Sequence, residues 1–158
     1  MRPARHDDRR WIEAESVSLG GPEIFSTGRL WTVTEQPAWV ACMDLQPVGF
    51  LSYRLDRPAC EILALKALHP RLGIGSALTL QILQLASHAG LRTVEFNTTN
   101  DNIAAQRFYR ALGFEHVATC KGAVPEILRL KGLPVEPVIG QCGVEVRDIL
   151  RFARTIST

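Results

Sequence analysis

Apolar and polar positions change their rhythm twice along this chain, and each change predicts a different kind of element. Over 38–68 the apolar positions gather into short runs, 38–43, 48–55 and 59–68, divided by Asp44-Leu45-Gln46-Pro47 and by Asp56-Arg57-Pro58. Short runs of this kind joined by tight polar turns predict an antiparallel meander. The third run is apolar except for Glu61 and Lys66, which reads as a central strand. Past Gly73 the spacing turns helical, with Leu78, Ile82, Leu85, Ala86 and Ala89 on one period and Gly90 at the C-cap position. No Asp, Glu, Lys or Arg falls between Gly75 and Ala89, so most of that helix is expected to be covered.

The pattern continues with a short strand over 91–97 and a helix over 100–112, led by the cap formers Asn100, Asp101 and Asn102 and ended by Gly113. A strand over 115–123, a short helix over 125–131 with Pro125 in its first turn, and a closing strand over 144–152 complete the prediction. The beginning is less regular. Residues 1–10 are charged and aperiodic, so a mobile tail is expected there. A short helix around 11–17 then meets Leu19-Gly20-Gly21-Pro22, and Ser26-Thr27-Gly28 marks a loop leading into 29–34. Strands followed by strand–helix–strand–helix–strand predict an α+β fold, an α/β sandwich around a mixed sheet, as a single domain over 11–158. Crossovers between parallel strands should be right-handed.

Composition narrows the function classes. A chain of 158 residues is long enough to bury roughly two-thirds of its unfolded surface without staples. With 18 Lys+Arg against 16 Asp+Glu the net charge is +2, so no overall field calls for nucleic acid or an anionic membrane as partner. Cys42, Cys60, Cys120 and Cys142 form no C-x-x-C pair and have no His at ligand spacing, so no metal is expected. They read as small buried or half-buried apolar groups. Residues 1–10 do not form a charged-then-apolar leader, and no apolar run approaches 18 residues, so a cytoplasmic protein with reduced thiols is expected.

The candidate chemistry begins where 65–68 runs through His69-Pro70-Arg71-Leu72 into Gly73-Ile74-Gly75-Ser76. A strand, a glycine turn and a helix start place free N–H groups and the positive dipole end together, which suits an anion such as phosphate; tight packing at a plain helix entry would use the same residues. It is neither a Walker loop nor G-x-G-x-x-G, because Leu78 stands three residues beyond Gly75. Further on, Asn102, Ala105, Tyr109, Gly113 and Phe114 fit N-x-x-A-x-x-x-Y-x-x-x-G-F. The stretch 98–114 closely resembles the second signature of the GNAT superfamily of acyl-CoA-dependent N-acyltransferases. With the strand–G-x-G–helix unit, the resemblance spans 61–114.

The resemblance implies a GNAT-like mixed, mostly antiparallel sheet flanked by helices, with acetyl-CoA as co-substrate and an amine, small-molecule or peptide, as acceptor. By analogy the coenzyme arm pairs along Leu65, Lys66, Ala67 and Leu68, and the pyrophosphate rests on the amides of Gly73, Ile74, Gly75 and Ser76. The backbone N–H of Leu65 would face the thioester oxygen, where negative charge develops, and Lys66 would add charge nearby. Tyr109 matches the tyrosine that protonates the departing thiolate; as a residue alone it reads equally as a core aromatic beside Ala105 and Leu112. Asn102 matches an asparagine that caps its helix and bonds the arm, and Asn97 is a second candidate for the arm. Glu61 lies four residues before Leu65, on the same face under strict alternation and roughly 13 Å away. It is therefore a candidate base for the acceptor amine, against the alternatives of ordered water alone and of a glutamate paired with Arg54 or another arginine. One departure from the family pattern stands out: Pro70 replaces the usual Gln or Arg and removes an N–H donor, with Arg71 beside it as substitute. A non-catalytic acyl-CoA-binding sensor of the same fold is the competing reading. A homodimer is compatible with either reading.

Overall fold

The structure is a computed structural model that describes residues 1–156. The chain forms two compact units, Met1–Val94 with the last residues from Thr155, and Glu95–Arg154.

In the first unit, β1 (Arg2–Pro3), β4 (Ala38–Met43), β5 (Gln46–Asp56) and β6 (Ala59–Ala67) lie side by side in that order. All three contacts between them are antiparallel. The predicted meander is present nearly residue for residue, because each run is bounded by a turn its own residues build. Asp44 and Leu45, for example, both take positive φ at the β4–β5 turn. The separate hairpin of β2 (Glu23–Ser26) and β3 (Arg29–Thr32) turns at Thr27-Gly28, where only a loop was expected.

Alternation assigns the two faces of this sheet. Ala38, Val40, Phe50 and Ala64 face α1 (Arg9–Ser16) and form a buried cluster with Ile12 and Val33. Gly49 faces α2 (Ile74–His88) so closely that a Cβ there would sit 2.7 Å from the Ile74 Cγ2 and 2.9 Å from the Lys66 carbonyl oxygen. Glycine is thus what lets the first turn of α2 lie against β5. The helix buries Leu78, Ile82 and Ala86 but leaves Leu80 exposed, so it is less fully covered than its lack of charge suggests.

Residues 1–10 are not a free tail. Arg2–Pro3 pairs with Trp39–Val40, and Arg2 grips Asp8 through two hydrogen bonds of 2.6 and 2.9 Å. Two of the charges that read as solvated in the sequence, Arg2 and Asp8, are spent on an internal ion pair, while Arg5, Asp7, Arg9 and Arg10 stay exposed.

The second unit carries most of β7 (Thr93–Thr99), then α3 (Ile103–Ala111), β8 (Glu115–Cys120), α4 (Ala123–Leu130) and β9 (Ile149–Thr155). β8 and β9 are antiparallel, with Val117 left unpaired by a bulge. Phe96, Tyr109, Phe114 and Phe152 form its aromatic core. The closing strand begins at Ile149 rather than 144. The reason is hydrogen bonding: the Asn100 side-chain oxygen accepts from the Arg147 and Asp148 amides, and Val146 bonds Val138. With those groups engaged, 144–148 forms only the isolated bridge of Ile139 with Glu145 among the described residues and does not extend the closing strand. Cys60 is buried and Cys42 half-buried as expected, but Cys120 and Cys142 are exposed, and all four are free thiols.

Candidate active site

In the first unit, the second half of β6 and the start of α2 bring Leu65 to Leu68 and Gly73 to Ser76 into one region. The Leu68 amide donates to the Val48 carbonyl at 2.8 Å. Backbone N–H groups along a strand point alternately to either side, so those of Leu65 and Ala67 are turned away from β5. Burial changes at the same place: β6 is buried from Cys60 to Ala64 and half-buried from Leu65 to Ala67.

At the helix start, Gly73 takes φ 72° at the N-cap, and the first backbone bond of α2 runs from the Ala77 amide to the Gly73 carbonyl at 2.9 Å. The amides of Ile74, Gly75 and Ser76 therefore have no intrahelical acceptor. Arg71 is exposed, adopts φ 68°, and its side chain makes no ion pair among the described residues. Amides without an intrahelical acceptor, beside a guanidinium with no ion pair among the described residues, are groups that suit an anion. The Lys66 side chain is not part of this group. It lies opposite Phe50 in the ladder, on the face away from α2, and its Nζ donates to the Ser18 hydroxyl at 2.7 Å.

Glu61 departs from its expected placement. Ser52 pairs with Ala64 and Tyr53 with Ile62, so Leu63 is an extra residue in β6. Such a bulge breaks the two-residue alternation. Glu61 pairs with Arg54 and Leu65 with Leu51; Arg54 and Leu51 are three positions apart on β5, hence on opposite faces. Glu61 and Leu65 are on opposite faces too, which corrects the same-face expectation.

The Glu61 carboxylate is also engaged. One oxygen accepts from the Arg54 guanidinium at 2.8 Å and the other from the Ser26 hydroxyl, in a residue only 7% exposed. Arg54 spends its other terminal nitrogen on Asp56 at 2.8 Å and leaves its buried Nε without a partner. Trp31 holds two guanidinium carbons near its ring, Arg29 at 3.6 Å and Arg54 at 4.5 Å. Ser26, Arg29 and Trp31 lie on a hairpin far from β6 in sequence, and no local spacing identifies them. The short strands flanking Thr27-Gly28 were the available signal.

In the second unit, Asn102 is the N-cap of α3, and its side-chain oxygen accepts from the Ala105 amide at 3.1 Å. Asn97 is half-buried in β7. Tyr109 is 5% exposed and stacks on Phe96 with ring centroids 3.6 Å apart, with Phe108 and Phe114 edge-on. Burial pushes its phenol pKa well above the ordinary value. Asn100 and Asp101, read as cap formers, instead anchor the C-terminal segment: Asp101 accepts from the Gln141 amide at 3.1 Å, and the Asn100 amide donates to the Asp148 carbonyl at 3.0 Å. Among the described residues no cluster of three or more His, Cys, Asp or Glu can hold a metal ion, and no helix is long and apolar enough to cross a membrane.

Known proteins resemble this chain in sequence and in fold. The protein YdhI of Bacillus subtilis (strain 168), itself uncharacterized, is 31% identical over 138 residues, covering 87% of this chain and 85% of its own. Ard1 of Thermoplasma volcanium has a similar fold, with a TM-score of 0.70 and 18% identity over 99% of this chain and 97% of its own. A Bacillus subtilis acetyltransferase solved in complex with CoA has a TM-score of 0.65 and 21% identity over 77% of this chain and 78% of its own. These two likenesses bear out the expected α+β fold with a mixed, helix-flanked sheet. The profile of the Acetyltransferase (GNAT) family matches residues 7–114, spanning both the strand–glycine–helix unit and the Tyr109 helix, so the chain belongs to the GNAT acetyltransferase family.

Proposed function

We propose that this chain transfers acetyl from acetyl-CoA to a primary amine by direct attack, without a covalent enzyme intermediate. The observation that carries the reading is the Leu65 N–H turned away from β5, next to a helix start with three unspent amides. CoA is the ligand of a solved relative of similar fold. In this reading the amides of Gly73 to Ser76 and the Arg71 guanidinium take the pyrophosphate, and the backbone of Leu65 to Leu68 pairs with the arm. Asn97 and the free amide end of Asn102 are further donors to that arm.

The amine nitrogen attacks the thioester carbonyl, the oxygen gains charge against the Leu65 N–H, and the carbon–sulfur bond breaks. The thiolate takes a proton, for which Tyr109 is the donor proposed, and water removes the proton of the amine. Glu61 is assigned a positioning role, since both its oxygens already accept bonds. A cytoplasmic setting, where acetyl-CoA and free thiols coexist, goes with this function.

Thermal melts with and without acetyl-CoA, together with thiol release over a panel of amines, test the proposal. A raised melting temperature and release with at least one amine are expected. No protection and no release would overturn it, whereas protection with silent turnover would mark a sensor.

A further inference from the structure

We propose that Arg29 recognises the acceptor, and that the acceptor carries a carboxylate on the same molecule as its amine. The inference deepens the acetyl-transfer reading and rests on it. Arg29 and Ser26 are direct partners across the β2–β3 hairpin, so their side chains share a face, and Trp31 lies two residues on along the same face. The Ser26 hydroxyl donates to Glu61, which ties that face to β6. Lys66 stands on the same face of β6, where its Nζ donates to the neutral Ser18 hydroxyl.

The Arg29 guanidinium is held in place but has no acid to bind. Its carbon lies 3.6 Å from the Trp31 ring centroid, and the indole N–H is fixed on the Ser26 carbonyl at 3.0 Å. A guanidinium resting on an aromatic ring can keep the N–H donors of its edge for a ligand. Arg29 is exposed and forms no ion pair among the described residues.

The acids of the hairpin and of the Arg54 pair do not serve it. Glu61 and Asp56 are bound by Arg54, and Glu23 sits opposite Thr32 at the far end of the hairpin. A pre-oriented guanidinium fork is complementary to a carboxylate, through two parallel hydrogen bonds. Between the level of Glu61 and that of the Leu65 N–H the strand covers about 10–13 Å. The acceptor therefore has its amine several bonds from its carboxylate, as in an ω-amino acid or a lysine side chain, rather than on the same carbon.

The test compares 6-aminohexanoate with n-pentylamine, which offers an amine on a similar chain without the carboxylate. With the full chain and acetyl-CoA, kcat/KM should favour 6-aminohexanoate by at least about tenfold, the scale of a charge-assisted hydrogen bond. In Arg29→Gln that ratio should fall to about twofold or less, and Arg29→Lys should keep part of it. Equal rates in the unaltered protein, or a preference that survives in Arg29→Gln, would overturn the proposal. Should neither amine turn over, calorimetric titration of 6-aminohexanoate into the acetyl-CoA-loaded protein reads the site directly. Binding that disappears in Arg29→Gln supports the proposal, and no binding to the unaltered protein rejects it. Failure of the acetyl-transfer reading is seen separately, as absence of thermal protection by acetyl-CoA.

Discussion

Burial among phenylalanines makes the Tyr109 ring part of the second unit's core, and it also raises the phenol pKa, so the hydroxyl stays protonated. A protonated phenol can donate to a departing thiolate, so packing and chemistry are compatible at this residue. Tyr109→Phe keeps the stack and removes only the donor. We expect kcat to fall at least about tenfold, KM for acetyl-CoA to move less than about threefold, and the melting temperature to stay within about 4 °C. An unchanged kcat would leave Tyr109 with packing alone. Glu61 tests the opposite assignment. Glu61→Gln breaks a buried pair and should cost about 3–5 kcal/mol in denaturant unfolding. The acid limb of the kcat/KM pH profile should keep its midpoint, whereas a catalytic base would move or flatten it. Tyr109 and Asn102 could be read from the sequence because one turn-by-turn spacing defines their motif. Ser26 could not, since what gives it meaning is its bond to Glu61, 35 positions on in a different run, and Arg29 takes its place beside β6 only through the hairpin that Ser26 ties there.

At the scale of elements, β6 and α2 act as a pair whose fit depends on Gly49. Adding a methyl group there meets the Lys66 carbonyl, which belongs to the ladder, and Ile74, the first residue of α2. Gly49→Ala should therefore destabilise by about 1–3 kcal/mol. It should also weaken thermal protection by acetyl-CoA more than an equally destabilising change in the α1-facing core, such as Val40→Ala. Equal loss of protection in the two variants would separate the helix start from ligand binding. The positions of β4 to β6 and of α2 were legible from alternation and period, whereas β1 and the β2–β3 hairpin were not. The bulge at Leu63 was not: it is a register relation between two strands, and it reversed the face on which Glu61 was expected.

For the whole molecule, the ion pair of Arg2 with Asp8 links stability to pH. The Arg2 hydrogen bonds hold the Asp8 carboxyl below the usual carboxylate range. A group whose pKa is lowered by folding stabilises the native state above its unfolded value, and that stability is lost as pH falls through the folded one. Asp8→Asn should cost about 1–3 kcal/mol near pH 7, and the gap to the unaltered protein should close as the pH drops below about 4. A gap that persists at low pH would mean that the pair is not its source. The same contact shows why the charged beginning of the chain reads as a tail: composition records the charges and not their pairing. By itself the sequence determined the central elements, the fold class and the family, because hydrophobic period, turn residues and a fixed motif are all local signals. Only the tertiary structure decided which faces the functional side chains occupy, which acid is spent on which arginine, and that Arg29 rests on Trp31 with no ion pair among the described residues. Those relations depend on strand register and on neighbours brought together from distant parts of the chain, where one inserted residue in β6 is enough to exchange the two faces.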